Sequence, residues 1–298
     1  MSYTTPSDRL NLRRITKSRF QYKLYIESYG VKICVSSNES EALEAISDKL
    51  PQILAHSYVI TQPTKSEHQF YYAWNATGRD SLYKGNGMVG VRREREGLLD
   101  QLCAYIRLTV AEYAVDRIFV HAGVVSWRGR AILIPAKTFS GKSTLTAELV
   151  RRGALYYSDE YAVLDKHGLV YPFPKLLSIR SAADRTQQID MPVESFDGKA
   201  GTAIVPVGMI LVTNYEPKAK WNPVLLSRAE GSIELIRNAL SVRLNPSFNL
   251  SVFDMATKNA MIVRSPRDDA AETARLVLDL FDGKSPQPRR LPEDDDVH

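Results

Sequence analysis

Cysteine is scarce. Cys34 and Cys103 are the only two in 298 residues, too few for a disulfide framework and without the paired spacing of a metal site. Long hydrophobic runs are missing as well: no stretch approaches the roughly 20 apolar residues of a membrane-spanning helix, so no membrane partner is expected. The basic start (Arg9, Arg13, Arg14, Lys17 and Arg19 against Asp8) has no apolar segment behind it and does not read as a secretory signal. A cytoplasmic protein is expected. Charge of one sign is also lacking. The 39 basic and 34 acidic residues leave a net +5, and the densest basic cluster, Arg92, Arg93 and Arg95, is interleaved with Glu94 and Glu96. Nucleic-acid-binding proteins gather their excess on one face, so nucleic acid is not expected as a partner. At 44% hydrophobic and 24% charged residues the composition is ordinary for a globular chain, of a length that suits one large domain or two modest ones.

What is present divides in two. Residues 1–93 read as a small α+β domain. Gln21–Ser28 and Val31–Ser36 alternate around Tyr29-Gly30 as a hairpin, and Asn38 with Glu41 predicts a capped helix that Pro51 stops. Strand-like runs follow at Ser57–Thr61, Gln69–Trp74 and Met88–Val91. A long helix is predicted from about Arg93 to Val115, its apolar face carrying Leu98, Leu102, Ile106 and Val110. Residues 94–284 then read as an α/β domain with strands at Ile118–Ser126 and Ala131–Pro135, a helix over Lys142–Arg152, and strands at Ala154–Ser158, Tyr161–Asp165, Lys175–Arg180 and Val207–Thr213. Two helices close it, one capped by Ser227 with Glu230, the other opened by Ser265, Pro266 and Asp268 and ended by Gly283. Residues 285–298, proline-rich and then acidic, are expected to be a disordered tail.

The chemistry is concentrated between Ala131 and Leu145. An apolar strand ends, the loop Ala136-Lys137-Thr138-Phe139-Ser140-Gly141-Lys142-Ser143-Thr144 follows, and an amphipathic helix begins. That is the layout of a phosphate-binding loop. Backbone N–H groups and the positive helix end surround the phosphates, a lysine reaches the β- and γ-phosphates, and a hydroxyl takes Mg²⁺. Lys142 and Ser143 supply the last two. Ala136 stands where the pattern has its first glycine. The alternative is a plain helix start with a capping serine.

One strand further on, Ser158-Asp159-Glu160 places two carboxylates where a strand leaves the sheet. Phosphoryl transfer uses carboxylates there to position Mg²⁺ and to accept the hydroxyl proton; the alternative is a polar turn. His121 is a candidate for the site or a core histidine. Lys175 and Arg180, read as lying toward the far side of the sheet, either meet phosphate or are surface charges.

Taken together, His121-Ala-Gly, Gly141-Lys-Ser-Thr-Leu145, Arg152-Gly-Ala154 and Ser158-Asp-Glu160 resemble the catalytic domain of the HPr kinase/phosphorylase family over residues 117–180, and more weakly to about 282. The resemblance implies a P-loop, phosphoenolpyruvate-carboxykinase-like kinase core behind the small N-terminal domain. It also implies ATP and Mg²⁺ as cofactors. Lys142 and Ser143 fall on the family's P-loop lysine and hydroxyl. Asp159 falls on its proton acceptor, Glu160 on a carboxylate near the metal, and His121 on a histidine close to the catalytic acid. Ala136 and Phe139 replace loop glycines, Glu160 replaces an aspartate, and the glycine-rich stretch of the bifunctional enzymes has no counterpart at Asp184–Gly201. The expectation is therefore a kinase that phosphorylates a hydroxyl, serine above all, of a peptide, protein or small molecule. Catalytic roles are expected for Asp159, His121 and Lys142, nucleotide contacts from residues 136–144, and metal contacts from Ser143 and Glu160. A homo-oligomer is compatible with this reading. The competing expectation is a nucleotide-binding sensor or scaffold without turnover.

Overall fold

A computed structural model describes residues 17–75, 79–92, 94–136, 140–180 and 188–290. It comprises two compact units, Met1–Val110 and Ala111–His298. The division falls within the long helix rather than ahead of it at residue 93. The reason is packing: Lys49 pairs with Asp100 at 2.9 Å, Gln101 Nε2 donates to the Val89 carbonyl at 3.0 Å, and Phe70 stacks on Tyr105, so most of the helix belongs to the first unit.

That unit contains β1 (Tyr22–Ser28), β2 (Val31–Ser37), α1 (Ser40–Ile53), β3 (Val59–Ile60), β4 (His68–Ala73), β5 (Asp80–Lys84), β6 (Gly87–Arg92) and α2 (Arg95–Tyr113). The sheet order is β3-β1-β2-β4-β5-β6, antiparallel throughout except where α1 carries the chain from β2 to a parallel β4. The β1–β2 hairpin turns on Tyr29 and Gly30, both at positive φ, as a two-residue turn requires. Two sequence expectations are corrected. Asn38 does not cap α1; its amide exchanges two 2.7 Å bonds with the Trp74 backbone and so ties the end of β2 to the end of β4. Pro51 does not stop α1. It sits in the last turn, where a missing N–H costs a single bond, and the helix runs on to Ile53. Tyr71 and Tyr72, on opposite faces of β4, are both buried.

The second unit contains β7 (Ile118–Trp127), β8 (Arg130–Pro135), α3 (Lys142–Arg151), β9 (Leu155–Ser158), β10 (Tyr161–Leu164), β11 (Leu169–Tyr171), β12 (Leu177–Arg180), β13 (Gln188–Met191), β14 (Val205–Val212), β15 (Val224–Leu225), α4 (Arg228–Asn238), α5 (Pro246–Thr257), β16 (Met261–Arg264), α6 (Ala270–Phe281) and β17 (Arg289–Arg290). Its main sheet runs β11-β10-β7-β8-β14-β16-β15-β17, with β9 and β10 meeting β7 end to end. Alternation along β7 and β8 divides the core. Val120, Val124 and Leu133 face Leu235, Val252 and Phe253 from α4 and α5. Val125, Ile132 and Ile134 face Leu145, Leu149, Val277 and Leu278 from α3 and α6. The unit is therefore a mixed α/β fold with helices on both faces of its sheet.

Ser227 and Glu230 form the expected capping box on α4. The last helix starts later than expected: Asp269 caps α6, while Ser265 Oγ accepts the Asn222 N–H at 2.9 Å. Helix α5, capped by Asn245 with Pro246 at its first position, was not expected. Lys175–Arg180 was expected as one strand, but only Leu177–Arg180 is extended, and it pairs with β13 in a separate two-stranded ribbon. The expected tail disorder does not describe Arg289–Arg290, whose main chain pairs with β15; residues 291–298 lie outside the described residues. Among the described residues no helix is long and apolar enough to cross a membrane.

Candidate functional site

Strands β8, β14 and β16 are mutually parallel. The segments that follow their carboxyl ends bring Ala136, Gly141, Asn214 and Arg267 to one end of the sheet. Strand β9 lies across β7 from β8, so one strand separates the carboxylate turn from the loop instead of the two being adjacent. The turn is nevertheless brought to the loop's helix.

Ala136 keeps an ordinary φ, which explains why a β-carbon is tolerated there. Its N–H donates to the His121 carbonyl at 3.3 Å, fastening the end of β8 to β7. Lys137, Thr138 and Phe139, expected to contact nucleotide, lie outside the described residues. Gly141 is left-handed, at φ 78° and ψ 14°, and Lys142 begins α3. Helix α3 packs closely on β7 because residue 123 is glycine: a β-carbon there would lie 2.5 Å from Thr146 Oγ1 and 2.9 Å from Lys142 Cγ.

That packing buries Lys142, which is 7% exposed. Its Nζ lies 3.1 Å from His121 Nε2. The other ring nitrogen, Nδ1, lies 2.8 Å from the Ala136 carbonyl, which can only accept, so Nδ1 carries the proton and Nε2 offers its lone pair to the ammonium. Burial, and then the charge of Lys142, hold the His121 pKa below its ordinary value, consistent with a neutral ring. Burial also lowers the Lys142 pKa to about 8, against the opposing charges of Asp159 and Glu160.

Local structure fixes the two carboxylates. Ser158 Oγ accepts the N–H groups of Glu160 (3.1 Å) and Tyr161 (3.0 Å), which shapes the turn between β9 and β10. Asp159 is 4% exposed. It accepts from the Ser178 N–H at 2.9 Å, Ser143 Oγ at 3.3 Å and the Tyr156 hydroxyl at 3.3 Å. Burial raises its pKa, opposed first by the charge of Lys175. Glu160 pairs with Lys175 at 3.0 Å.

The structure thus assembles His121, Ala136, Gly141, Lys142, Ser143, Asp159 and Glu160. Thr144 is exposed on the first turn of α3, and Ser140 Oγ is buried without a hydrogen-bond partner. Lys175, read toward the far side of the sheet, instead reaches the acidic pair because β11, antiparallel to β10, returns the chain there; the Arg180 side chain lies outside the described residues. Tyr156 and Arg267 were not anticipated. Tyr156 reads as an ordinary strand residue, and Ser265-Pro266 reads as a helix opening that hides the arginine after it.

Among the described residues no three His, Cys, Asp or Glu side chains could hold a metal by themselves. Mg²⁺ bound with a nucleotide needs only one or two protein oxygens beside the phosphates and waters. Ser143 can supply one such oxygen, and Glu160, here paired with Lys175, carries the other. Comparison with known proteins finds no family model that matches the chain and no match among curated proteins.

Proposed function

We propose that the chain is an HPr-kinase-like phosphotransferase, built on a phosphoenolpyruvate-carboxykinase-like P-loop core, that moves the γ-phosphoryl group of ATP to a hydroxyl. The observation that carries this reading is one contact. Ser143, next in sequence to the buried Lys142, hydrogen-bonds to the buried Asp159. Lysine, helix-start hydroxyl and carboxylate are three parts that phosphoryl transfer uses together.

In this reading the triphosphate lies over the amino end of α3. Lys142 contacts the β- and γ-phosphates, and neutral His121, fixed by Ala136, orients the ammonium. Asp159, its basicity raised by burial, accepts the proton of the acceptor hydroxyl as that oxygen bonds to the γ-phosphorus; the bond from that phosphorus to the β–γ bridging oxygen breaks and ADP leaves. Mg²⁺, when bound with the nucleotide, would neutralise phosphate charge, with Ser143 and Glu160 as the protein oxygens that would hold it. The acceptor is a serine or similar hydroxyl of a peptide, protein or small molecule.

The test is incubation with γ-labelled ATP, Mg²⁺ and extract from the host, using wild type and Lys142→Ala. Label on an acceptor with wild type alone supports the kinase. ATP binding without transfer to any acceptor favours a sensor or scaffold, and Lys142→Ala binding ATP like wild type removes the phosphate-loop reading.

A further inference from the structure

Arg267 follows β16 and is only 3% exposed. Its backbone is locked between two neighbours: its N–H donates to the Asn214 carbonyl at 3.1 Å, and its carbonyl accepts the Glu216 N–H at 2.8 Å. Among the described residues the guanidinium donates to main-chain acceptors only. Nη2 donates to the carbonyls of Gly141 (2.7 Å) and Ser140 (3.3 Å), and Nη1 makes a long 3.5 Å approach to the Asp268 carbonyl. Nε is buried with no hydrogen-bond partner. Among the described residues no carboxylate makes an ion pair with it, and the charges of Tyr215 and Asp269 only partly offset its burial. A buried cation without a paired anion is costly, so its retention calls for a physical reason.

Peptide geometry supplies one. In a trans peptide the carbonyl and the following N–H point to opposite sides. With the Ser140 and Gly141 carbonyls turned toward Arg267, the N–H groups of Gly141 and Lys142 are turned away from it together. A left-handed residue followed by a helical one, as Gly141 and Lys142 are, makes the backbone concavity that binds anions. Glycine suits position 141 because its φ is 78°, and a β-carbon there would also press on the end of the Arg267 side chain.

We propose that Arg267 is a positioning residue for the phosphate loop. It holds the 140–142 peptides with their N–H groups toward the polyphosphate, and the bound nucleoside triphosphate balances its charge. This rests on the phosphate reading of the loop given above.

The test compares wild type with Arg267→Met, Arg267→Lys and Lys142→Ala, measuring Mg·ATP affinity, the melting temperature of the free protein, and amide hydrogen exchange at Gly141 and Lys142. Arg267→Met should melt no lower than wild type, exchange faster at those amides, and bind Mg·ATP about tenfold more weakly or worse, the scale of a lost charge-assisted hydrogen bond. A purely structural arginine would give the opposite pattern, a lower melting temperature with affinity kept. Arg267→Lys keeps the charge but not the fork and should bind between the two. If Arg267→Met does not fold, Arg267→Lys carries the test, and affinity equal to wild type overturns the proposal. Weakened Lys142→Ala beside unaffected Arg267 variants overturns this proposal alone. Wild type that binds no Mg·ATP, or Lys142→Ala that binds like wild type, overturns the phosphate reading and this proposal with it.

Discussion

Lys142 Nζ lies 3.1 Å from His121 Nε2, while Nδ1 of the same ring donates to the Ala136 carbonyl at 2.8 Å. A buried ammonium is thus propped on a neutral imidazole, and its pKa is lowered to about 8. Phosphates favour the charged lysine and raise that pKa again. Nucleotide binding should therefore take up protons near pH 8, and affinity should fall as pH rises through that value. Calorimetry in two buffers of different ionisation enthalpy checks this; zero proton uptake near pH 8 contradicts it.

The same burial predicts a stability trade. Lowering the Lys142 pKa from 10.5 to about 8 corresponds to ~3 kcal/mol of disfavoured charge. Because the folded pKa is below the unfolded one, the deficit is fully present below pH 8 and is relieved as pH rises toward 10.5. Lys142→Met, which keeps the apolar stem, should stabilise the free protein by ~1–3 kcal/mol at neutral pH while ATP binding is lost. Urea unfolding at pH 7 reads the first effect and titration the second.

Gly123→Ala should do the reverse. The added methyl meets Thr146 Oγ1 at 2.5 Å and Lys142 Cγ at 2.9 Å, so α3 must shift off β7. The expected cost is ~1–3 kcal/mol of stability, the usual range for overpacking, together with weaker ATP binding as Lys142 moves. A variant equal to wild type in both measurements contradicts the close packing described for this helix.

Much of this arrangement was legible in the sequence. The apolar run of β8, Gly141-Lys142-Ser143 and Asp159-Glu160 locate both halves of the site because strand, helix start and turn signals are local. Helix α5 is hard to read because only Asn245-Pro246 marks its start and its apolar residues do not form a sharp stripe. Arg267 is not legible, and the placement of Lys175 is not, for a different reason. Their roles depend on which strand ends the sheet order brings together, and one lies far along the chain in what reads as a helix opening. The division at Val110–Ala111 is not legible in the sequence, because the face of α2 carrying Leu98 and Leu102 is apolar whichever unit it packs against.

Lys175 and Glu160 form a partly buried pair at 3.0 Å, and Lys175 is the largest influence holding the Asp159 pKa down against burial. Lys175→Met should therefore raise the Asp159 pKa further. A base must be deprotonated to act, so the rising limb of the pH–rate profile should move to higher pH. Glu160→Gln should instead raise the Mg²⁺ concentration needed, with a smaller loss of rate at saturation than any change at Asp159. Rate profiles across pH and Mg²⁺ separate the two variants; an unmoved limb in Lys175→Met argues against Asp159 as the base.

Asp159→Asn addresses the central claim most directly. The amide keeps the shape beside Ser143 and Tyr156 but cannot accept the hydroxyl proton, and loss of a general base removes about 10²–10⁴-fold of rate. Phosphoryl transfer from γ-labelled ATP and Mg·ATP affinity are measured on one preparation. The account predicts transfer reduced by that factor with affinity near wild type; transfer at the wild-type rate would contradict it.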